Sequence, residues 1–381
     1  ILFGFSSFVC LIGLIFRLSI WFSQGMSPPA IPTLSAGTRV VQALKGVLGT
    51  FFSAKLFLII KSVFVDLLFQ KRIFDKSALR WIAHTLIFSG FILLLLMHAL
   101  HSVVTEPLFK DYQSTLNPFL FLRNLFGVMV LLGVAIAIFR RISLKPQRLK
   151  TYASDWTALV FLIVIILSGM LLEGSKMASH STFQRMVDDV SLSDEEEVKA
   201  LEAFWVQENG LAPTNVQLPP APEIIAKGKE INGDYCMDCH VSNKAAFASF
   251  TLTKISPIFF AVFGDALTVK LFWYLHILAC LAFLAWLPFS KMFHILAAPV
   301  SLLIKGVTGD QVQEPANILT RQMIGLSACT HCGTCSLECS SNMFFETFQN
   351  DLILPSEKVQ NLKKFAAGKE TDPAVIEQMQ Q

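Results

Sequence analysis

Residues 118–140 read PFLFLRNLFGVMVLLGVAIAIFR, an apolar run whose only charged residue before the final arginine is Arg123. A helix needs about 20 residues to cross the hydrocarbon layer of a membrane, so this run predicts a membrane-spanning helix. Similar runs lie at residues 1–22, 81–104, 155–173 and 268–290. Because 53% of the 381 residues are hydrophobic and 15% are charged, we predict an all-α membrane protein with five transmembrane helices.

A sixth apolar run, at about residues 51–69, contains Lys55, Lys61 and Asp66. These charges favour a helix that lies in the membrane interface over one that spans. If this run did span, the topology of the first span would invert. The sequence also begins inside an apolar run without Met, at Ile1, so we expect a preceding piece of chain.

The distribution of lysine and arginine predicts the orientation of the spans. Basic residues are concentrated between the first and second spans and between the third and fourth. They are Lys55, Lys61, Lys71, Arg72, Lys76, Arg80, Arg140, Arg141, Lys145, Arg148 and Lys150. Loops rich in lysine and arginine face the cytoplasm. The 105–117 loop, with Glu106, Lys110 and Asp111, and the acidic 174–266 segment are therefore predicted to face outside.

The outer segment contains Cys236, Cys239 and His240 in the pattern C-x-x-C-H. This pattern is the attachment motif of a c-type haem, in which two thiols bind the haem and the histidine binds its iron. A zinc or redox C-x-x-C is the competing interpretation, but no second metal-type pair lies outside. His180 is the first candidate for the sixth iron ligand. The alternatives are His101, Met177, Met186 and Met237.

Two helices, the first of them amphipathic, are predicted before this motif. Residues 191–210 show a capping-box pattern at Ser193 and Glu196, an apolar stripe, and Gly210 at the end. After a proline-rich linker, residues 223–235 can form a short helix that leads directly into Cys236.

Histidines within the apolar runs predict two further haems. His84 and His98 are 14 residues apart in the second span, and His276 and His294 are 18 residues apart at the last, so each pair lines one helix face. Ionisable groups in lipid are costly, which argues against packing as their role. Pairing His84 with His294 and His98 with His276 gives an inner and an outer bis-histidine b haem. His101 could replace His98, or serve the outer haem or a quinone.

The run from His276 to His294, with Pro299 after it, resembles the last span of the nitrate reductase gamma subunit family, which includes the cytochrome b subunit of membrane heterodisulfide reductases. His84, followed by LIFSGF at residues 86–91, is similar to the second span of the heterodisulfide reductase branch. The resemblance implies a five-helix diheme cytochrome b that exchanges electrons with the quinone pool. The outer haem segment is an insertion relative to that family.

A second cysteine motif follows the last span. Cys329, Cys332, Cys335 and Cys339 have the spacing of a ferredoxin-type [4Fe-4S] cluster, whereas zinc usually takes two separated pairs. His331, within the motif, is expected to be a loop residue. The stretch from Cys329 to Lys358 resembles the small iron-sulfur subunit of heterodisulfide reductases, which carries two such motifs. We therefore expect a second motif beyond residue 381.

These features predict four parts: membrane helices in 1–173, an outer c-haem insertion in 174–266, a last membrane helix in 267–298 and a cytoplasmic ferredoxin-like iron-sulfur domain in 299–381. The expected function is electron transfer in a respiratory complex of a bacterial or archaeal cytoplasmic membrane, as a subunit of a quinone-linked oxidoreductase. A transmembrane electron wire without a quinone site, and a redox-sensing or assembly subunit, are the alternatives.

The expected partners follow from the predicted cofactors. They are a cytoplasmic iron-sulfur or catalytic subunit, an outer c-type cytochrome, membrane lipid, and a quinone with menaquinone as the first candidate. A quinone site could use His101, Lys110 or Tyr112, although an ordinary interfacial loop also explains the last two. No nucleic-acid motif occurs in the sequence.

Overall fold

The computed structural model describes residues 1–25, 34–110, 112–145, 151–214, 216, 218–309, 315–340, 345, 347 and 353–366. Asp111, Arg148 and Lys150, which entered the orientation argument, lie outside these ranges, as does the end of the 299–381 part. Within the described ranges the regular structure is helical and contains no strand. The all-α prediction is confirmed.

We number the α-helices of the described residues in chain order. They are α1 Leu2–Ser23, α2 Ala36–Phe51, α3 Leu56–Ser62, α4 Lys71–Phe74, α5 Ala78–Leu94, α6 Glu106–Leu108, α7 Phe119–Phe139, α8 Ala153–Ala178, α9 His180–Asp189, α10 Glu195–Glu208, α11 Pro222–Tyr235, α12 Phe247–Leu252, α13 Ser256–Phe263, α14 Asp265–Trp286, α15 His294–Thr308, α16 Pro315–Ala328, α17 Thr334–Leu337 and α18 Pro355–Ala366.

Six helical stretches of the described chain are long and apolar enough to cross a membrane. They are Leu2–Ser23, Ala78–Ala99, Phe119–Leu144, Ala153–Ala178, Asp265–Phe289 and Lys291–Thr308. The first five coincide with the five predicted runs, and the sixth was not predicted as a span. The chain is thus a multi-pass membrane protein.

Residues 51–69 do not form one of these long helices. α3 is short and continues as a π-helical turn, Val63–Leu68. The Asp66 carboxylate accepts hydrogen bonds from Ser62 at 2.8 Å and from Arg72 at 3.0 Å. These polar contacts satisfy the carboxylate locally and agree with a segment that does not span. Its position in the interface stays a prediction.

The predicted last helix, residues 267–298, is interrupted in the structure. α14 ends at Trp286, a 3₁₀ turn follows at Leu287–Phe289, and Ser290 is extended with φ −118° and ψ 180°. Pro288 has no backbone N–H to continue a helix, and the Ser290 side chain caps the next turn by accepting from the Met292 N–H at 3.1 Å. The expectation that His276 and His294 share one face of one continuous helix is therefore wrong.

The described chain forms two units, which we treat separately. The first comprises Ile1–Trp81, Ile138–Leu159 and Leu281–Gln381. Its core consists of buried side chains of α1, α15 and α16, with residues of α18 packed against it: Trp21, Phe293, Ala297, Met323, Ile324, Leu326, Val359 and Leu362. Trp21 is fixed in this core because its indole N–H donates to Ser327 Oγ at 3.0 Å.

The second unit comprises Ile82–Ala137 and Val160–Cys280. Two glycines let α5 and α7 approach closely. A Cβ added to Gly90 would lie 2.6 Å from the Phe126 carbonyl oxygen, and one added to Gly133 would lie 2.7 Å from that of Ala83. Small residues commonly allow such close packing between membrane helices.

The 174–266 segment within this second unit has a core of its own. The residues are contributed by α9, α10, α11 and the loops between them: Phe183, Val187, Leu192, Ala200, Leu201, Trp205, Leu211, Ile231 and Cys236. The predicted helix before Cys236 is confirmed as α11. The predicted capping residue of α10 is wrong, because Asp194 and not Ser193 accepts from the Glu196 and Glu197 N–H groups.

Candidate haem and iron-sulfur sites

His98 and His276 lie together in the second unit. The centroids of their rings are 6.4 Å apart and the ring planes are inclined by 44°. His98 belongs to a π-helical turn, Leu95–Ala99, that continues α5. Such turns occur often at functional sites, and this one shifts the angular position of His98 from that expected for a regular α-helix.

The His276 ring is oriented by α8. Its Nδ1 lies 3.0 Å from the Ile165 carbonyl oxygen and 3.2 Å from Ser168 Oγ. A carbonyl oxygen only accepts, so Nδ1 carries the proton and Nε2 keeps its lone pair. A Cβ on Gly169 would lie 3.0 Å from His276 Cε1, so the glycine makes room for the ring. Metal-binding histidines are typically held through the other ring nitrogen in this way.

The separation of these two rings fits two ligands of one haem iron. Two imidazole nitrogens on opposite sides of one metal ion, each bonded at about 2.0 Å and about 1.1 Å from its ring centroid, would place the centroids about 6.2 Å apart. The 44° inclination is compatible, because each ring can rotate about its metal–nitrogen bond. The residues present therefore suit an iron held between His98 and His276.

His101, the alternative to His98, has other partners. It begins a second π-helical turn, and its Nδ1 lies 2.8 Å from the His98 carbonyl oxygen. Its Nε2 lies 3.6 Å from Glu106, and its ring lies 6.0 Å from that of Tyr112. These contacts favour His98 as the ligand and leave His101 beside the 105–117 loop.

His84 and His294, the other two histidines of the predicted haem pairs, belong to different units. The His84 ring is stacked on Phe88, one turn further along α5, with 6.5 Å between the centroids. His294 begins α15, and its Nδ1 lies 2.7 Å from the Lys291 carbonyl oxygen. Since that carbonyl also only accepts, Nε2 of His294 keeps its lone pair for a metal. The pairing of His84 with His294 stays a prediction.

A polar cluster in the second unit was not predicted as functional. Arg123 of α7 donates to Glu173 of α8, and the Asn124 amide also donates to Glu173 at 2.9 Å. The Asn124 oxygen accepts the Ser249 backbone N–H at 2.9 Å. Arg123 and Glu173 are charged residues within or at the end of apolar runs, and this unusual placement could have predicted the cluster from the sequence. It joins two membrane helices to the 174–266 segment.

Asn124 is expected to stabilise this junction. Its side chain is buried, with 1% exposed, and Asn124→Leu would leave a buried Ser249 N–H without a partner. Loss of a buried hydrogen-bonding partner costs about 1–3 kcal/mol. We expect thermal unfolding of the purified variant at a lower temperature than the parent, and faster limited proteolysis within 174–266. Unchanged unfolding and proteolysis would contradict this role, and Leu132→Val, at an exposed position of the same helix, serves as the control.

The C-x-x-C-H motif forms a tight turn at the end of α11. The backbone N–H groups of Cys239 and His240 both donate to the Cys236 carbonyl oxygen, at 3.2 and 2.9 Å. Cys236 is buried in the segment's core, whereas Cys239 is exposed. Burial raises the pKa of Cys236 to about 11 and lowers that of His240, so the thiol and the neutral imidazole are favoured. A neutral imidazole is the form that binds iron.

The 105–117 loop contacts this motif directly. The Thr115 hydroxyl donates to the Cys239 carbonyl oxygen, and the Val241 N–H donates to the Thr115 carbonyl oxygen at 3.2 Å. In the same loop, the Tyr112 hydroxyl donates to the Met97 carbonyl oxygen at 2.8 Å. The loop therefore connects the turn that contains His98 to the C-x-x-C-H motif.

The candidate sixth ligand, His180, is hydrogen-bonded within the 174–266 segment. Its Nδ1 lies 3.4 Å from Glu202 Oε1 and 3.2 Å from Thr214 Oγ1, and its Nε2 lies 3.3 Å from Gln184. Met186 packs against the core, and Met237 is half exposed. The choice among these ligands stays a prediction.

The four cysteines of the iron-sulfur motif lie around α17 in the first unit. Burial raises the pKa of the Cys335 thiol, and the negative charges of Cys329 and Cys332 raise it further. The four cysteines are not drawn together into a metal-binding geometry, and the same holds for every other group of His, Cys, Asp and Glu in the described chain. The thiolate donor set suits an iron-sulfur cluster chemically. Their ligation of one stays a prediction.

His331 lies in a loop, as predicted, but its side chain is buried. It is 3% exposed with φ +59°, and its Nε2 lies 3.0 Å from Glu357 Oε1. Tyr152 packs on the His331 ring at 5.2 Å between centroids and lies 3.4 Å from Glu357 through its hydroxyl. This contact connects the cysteine loop to α18. It could not be predicted from the sequence, because His331 and Glu357 are 26 positions apart.

Two basic residues, Lys76 before α5 and Arg80 in its first turn, also contact this loop. Arg80 donates to Thr334 Oγ1 at 2.8 Å, and Lys76 pairs with Glu338. Burial raises the pKa of Cys332, but the Arg80 charge and hydrogen bonds from Thr334 and Arg80 outweigh it, so the pKa is lowered overall. A thiolate is the form that ligates a metal.

Comparison with known proteins finds one matching family model, which covers part of the chain. Residues 70–191 match the model of the nitrate reductase gamma subunit. The chain is 32% identical over 128 residues to one subunit of the dihydromethanophenazine:CoB–CoM heterodisulfide reductase of Methanosarcina thermophila, a match that covers 30% of this chain and 46% of that protein. It is 33% identical over 122 residues to the corresponding subunit of Methanosarcina acetivorans, with the same coverage of each chain.

A longer match is with the EtfAB:quinone oxidoreductase of Syntrophomonas wolfei, at 22% identity over 299 residues, 73% of this chain and 34% of that protein. The chain thus spans about half the length of the heterodisulfide reductase subunits it matches. No solved structure matches the chain significantly. The matched residues include His84, His98 and the Arg123–Glu173 pair, so over residues 70–191 the chain is similar to the nitrate reductase gamma subunit family.

Proposed function

We propose that this chain is a membrane electron-transfer subunit of a quinone-linked oxidoreductase. The observation that carries the proposal is the 6.4 Å separation of the His98 and His276 rings, with His276 held through Nδ1 so that Nε2 can bind iron. Two apolar helices would have no structural reason to bring two imidazoles to this distance, because ionisable groups are costly in lipid.

The cofactors proposed are two b haems, one c haem and at least one [4Fe-4S] cluster. His98 and His276 would hold the outer b haem, and His84 and His294 the inner one. Cys236, Cys239 and His240 would hold the c haem, with His180 as a candidate sixth ligand. Cys329, Cys332, Cys335 and Cys339 would hold the cluster. These groups supply one-electron transfer when bound, and the protein tunes them through axial ligands and burial.

The protein itself determines how the proposed outer b haem site and the proposed c haem site are arranged. The 105–117 loop is bonded at Tyr112 to the turn that contains His98 and at Thr115 to the Cys239–Val241 turn. Short covalent and hydrogen-bonded connections of this kind keep two redox sites at a fixed separation. This arrangement supports electron exchange between the outer b haem and the c haem.

The names of the relatives support the oxidoreductase and quinone parts of the proposal. Dihydromethanophenazine and quinone are the electron carriers in those names. We place the chain in the cytoplasmic membrane of a bacterium or archaeon, with the c haem outside and the cysteine cluster in the cytoplasm. Its partners would be a cytoplasmic iron-sulfur or catalytic subunit and an outer c-type cytochrome, with menaquinone as the first quinone to test.

Reduction by a quinol tests this function. We expect a menaquinol analogue to reduce both b-type and c-type absorption bands of the purified chain in stopped-flow spectra. In His276→Ala, quinol should no longer reduce the c haem, whereas dithionite still should, because the outer b haem is missing from the route. Absence of b-type bands in the parent would overturn the proposal. Bands that respond to dithionite but not to quinol would support a wire or a sensor instead.

A further inference from the structure

The Arg123–Glu173 pair lies one helical turn from the proposed outer b haem site. Gly169 of α8 lies against the His276 ring, since a Cβ added to this glycine would be 3.0 Å from His276 Cε1. Glu173 follows Gly169 by four residues in the same helix, so it projects from the same face about 6 Å further along. The Glu173 carboxylate is therefore placed beside the histidine pair, towards the 174–266 segment.

The Glu173 side chain is fixed in position and still accessible. Arg123 donates to Oε1 of its carboxylate, and the Asn124 amide donates to Oε2 at 2.9 Å. The side chain keeps 18% of its surface exposed. An ion pair with a purely structural role would be expected to be closed off by packing, because charged groups in lipid are costly. Glu173 can therefore be reached by a ligand.

Two buried hydroxyls offer a proton a route away from Glu173. Ser175 follows Glu173 in α8, and the Ser249 N–H donates to the Asn124 oxygen at 2.9 Å. Both serines are 0% exposed, and in the described part of the chain neither hydroxyl has a hydrogen-bond partner. Buried polar groups are normally paired, so these two hydroxyls are available to pass a proton on. The route leads from α8 into the 174–266 segment.

A base beside a haem ligand in an apolar span suits the oxidation of a quinol. A quinol reaches the protein from the lipid, and it releases two protons and two electrons when it becomes a quinone. A positioned carboxylate can act as the general base for those protons. Tyr112 and His101 are less suitable, because the Tyr112 hydroxyl already donates to the Met97 carbonyl oxygen and His101 Nδ1 lies 2.8 Å from that of His98.

We propose that Glu173 accepts the protons of a quinol that is oxidised beside the outer b haem. This inference rests on the proposed function, since it assumes a quinol and a haem between His98 and His276. In each of two steps, an O–H bond of the quinol breaks, its proton bonds to the Glu173 carboxylate, and one electron reduces ferric haem iron to ferrous. The proton then leaves towards the 174–266 segment, and the electron passes to the c haem. Arg123 is a positioning residue.

The test compares two reductants of the full chain purified in detergent. A menaquinol analogue gives up protons with its electrons, whereas a reduced viologen gives up electrons alone. In Glu173→Gln, which keeps the size of the side chain but removes the base, we expect the rate of b haem reduction by the quinol to fall about a hundredfold. The rate with reduced viologen and the ratio of b to c haem should equal those of the parent. Glu173→Asp, which keeps the carboxylate, should lose much less of the quinol rate.

Glu106→Gln is the matched control, because Glu106 is an exposed carboxylate beside His101 and should not affect the quinol rate. An unchanged quinol rate in Glu173→Gln would overturn the inference, and a slow rate in Glu106→Gln alone would assign the base to the 105–117 loop. Equal losses with quinol and viologen would also overturn it, since they indicate a structural role.

A second variant covers the case in which Glu173→Gln does not fold. Arg123→Gln with Glu173→Gln removes both charges together, so no cation is left unpaired among the apolar helices. It should show the same selective loss of the quinol rate, and a parental quinol rate in it would overturn the inference. A parent whose haems the quinol does not reduce would instead overturn the proposed function.

Discussion

Replacing His276 by alanine is expected to remove one b-type haem from the purified chain while the c-type haem stays attached. The His98 and His276 rings are 6.4 Å apart, and alanine takes away one of the two nitrogens that would bind the iron. Pyridine haemochrome spectra give the ratio of b to c haem. We expect this ratio to fall from about two to about one, because each bis-histidine haem needs both ligands.

His101→Ala is the matched control for this variant. His101 lies three residues from His98 on an exposed turn, and its bonds run to the His98 carbonyl oxygen and towards Glu106. Its loss should leave the haem ratio at the parental value. A full complement of b haem in His276→Ala, or loss of a b haem in His101→Ala with retention in His98→Ala, would assign the outer ligands differently.

Apolar length alone predicted the spanning helices well. The run at 118–140 became α7 at Phe119–Phe139, and that at 155–173 became α8 at Ala153–Ala178, because an uninterrupted apolar stretch has one stable form in lipid. The run at 268–290 corresponds to the stretch Asp265–Phe289, but apolar length did not predict where the helix is interrupted before His294. There Pro288 and the extended Ser290 interrupt the helix, a local effect that hydrophobicity does not record.

The candidate site was predictable in its ligand types but not in its supporting contacts. The spacing argument assumed regular α-helices, whereas His98 lies in a π-helical turn. Nevertheless His98 and His276 lie together, because the π-helical turn after α5 places His98 beside His276 of α14. The Arg123–Glu173 pair joins residues 50 positions apart, and the His331–Glu357 pair joins residues 26 apart. Pairs of this kind depend on tertiary packing, which spacing rules do not contain.

The double variant Cys236→Ala, Cys239→Ala is expected to lose covalently bound haem entirely. Attachment needs a thiol to form a thioether, and these two cysteines share one turn with His240. Haem staining after denaturing electrophoresis should show a band for the parent and none for the variant. The b-type spectrum should persist, since its proposed ligands are histidines of the membrane helices.

The two single variants distinguish an effect on covalent haem attachment from an effect on the stability of the fold. Cys239 is exposed, so Cys239→Ala removes a thiol without disturbing the core, whereas Cys236 is 3% exposed and packs among Leu201, Trp205 and Ile231. Cys236→Ala should therefore also lower the unfolding temperature of the outer segment, because it leaves a small cavity. Cys10→Ala, a buried cysteine of α1, should keep the stained band. Retention of covalent haem in the double variant would show that another residue attaches it, and the motif would then have to be interpreted as a metal or redox pair.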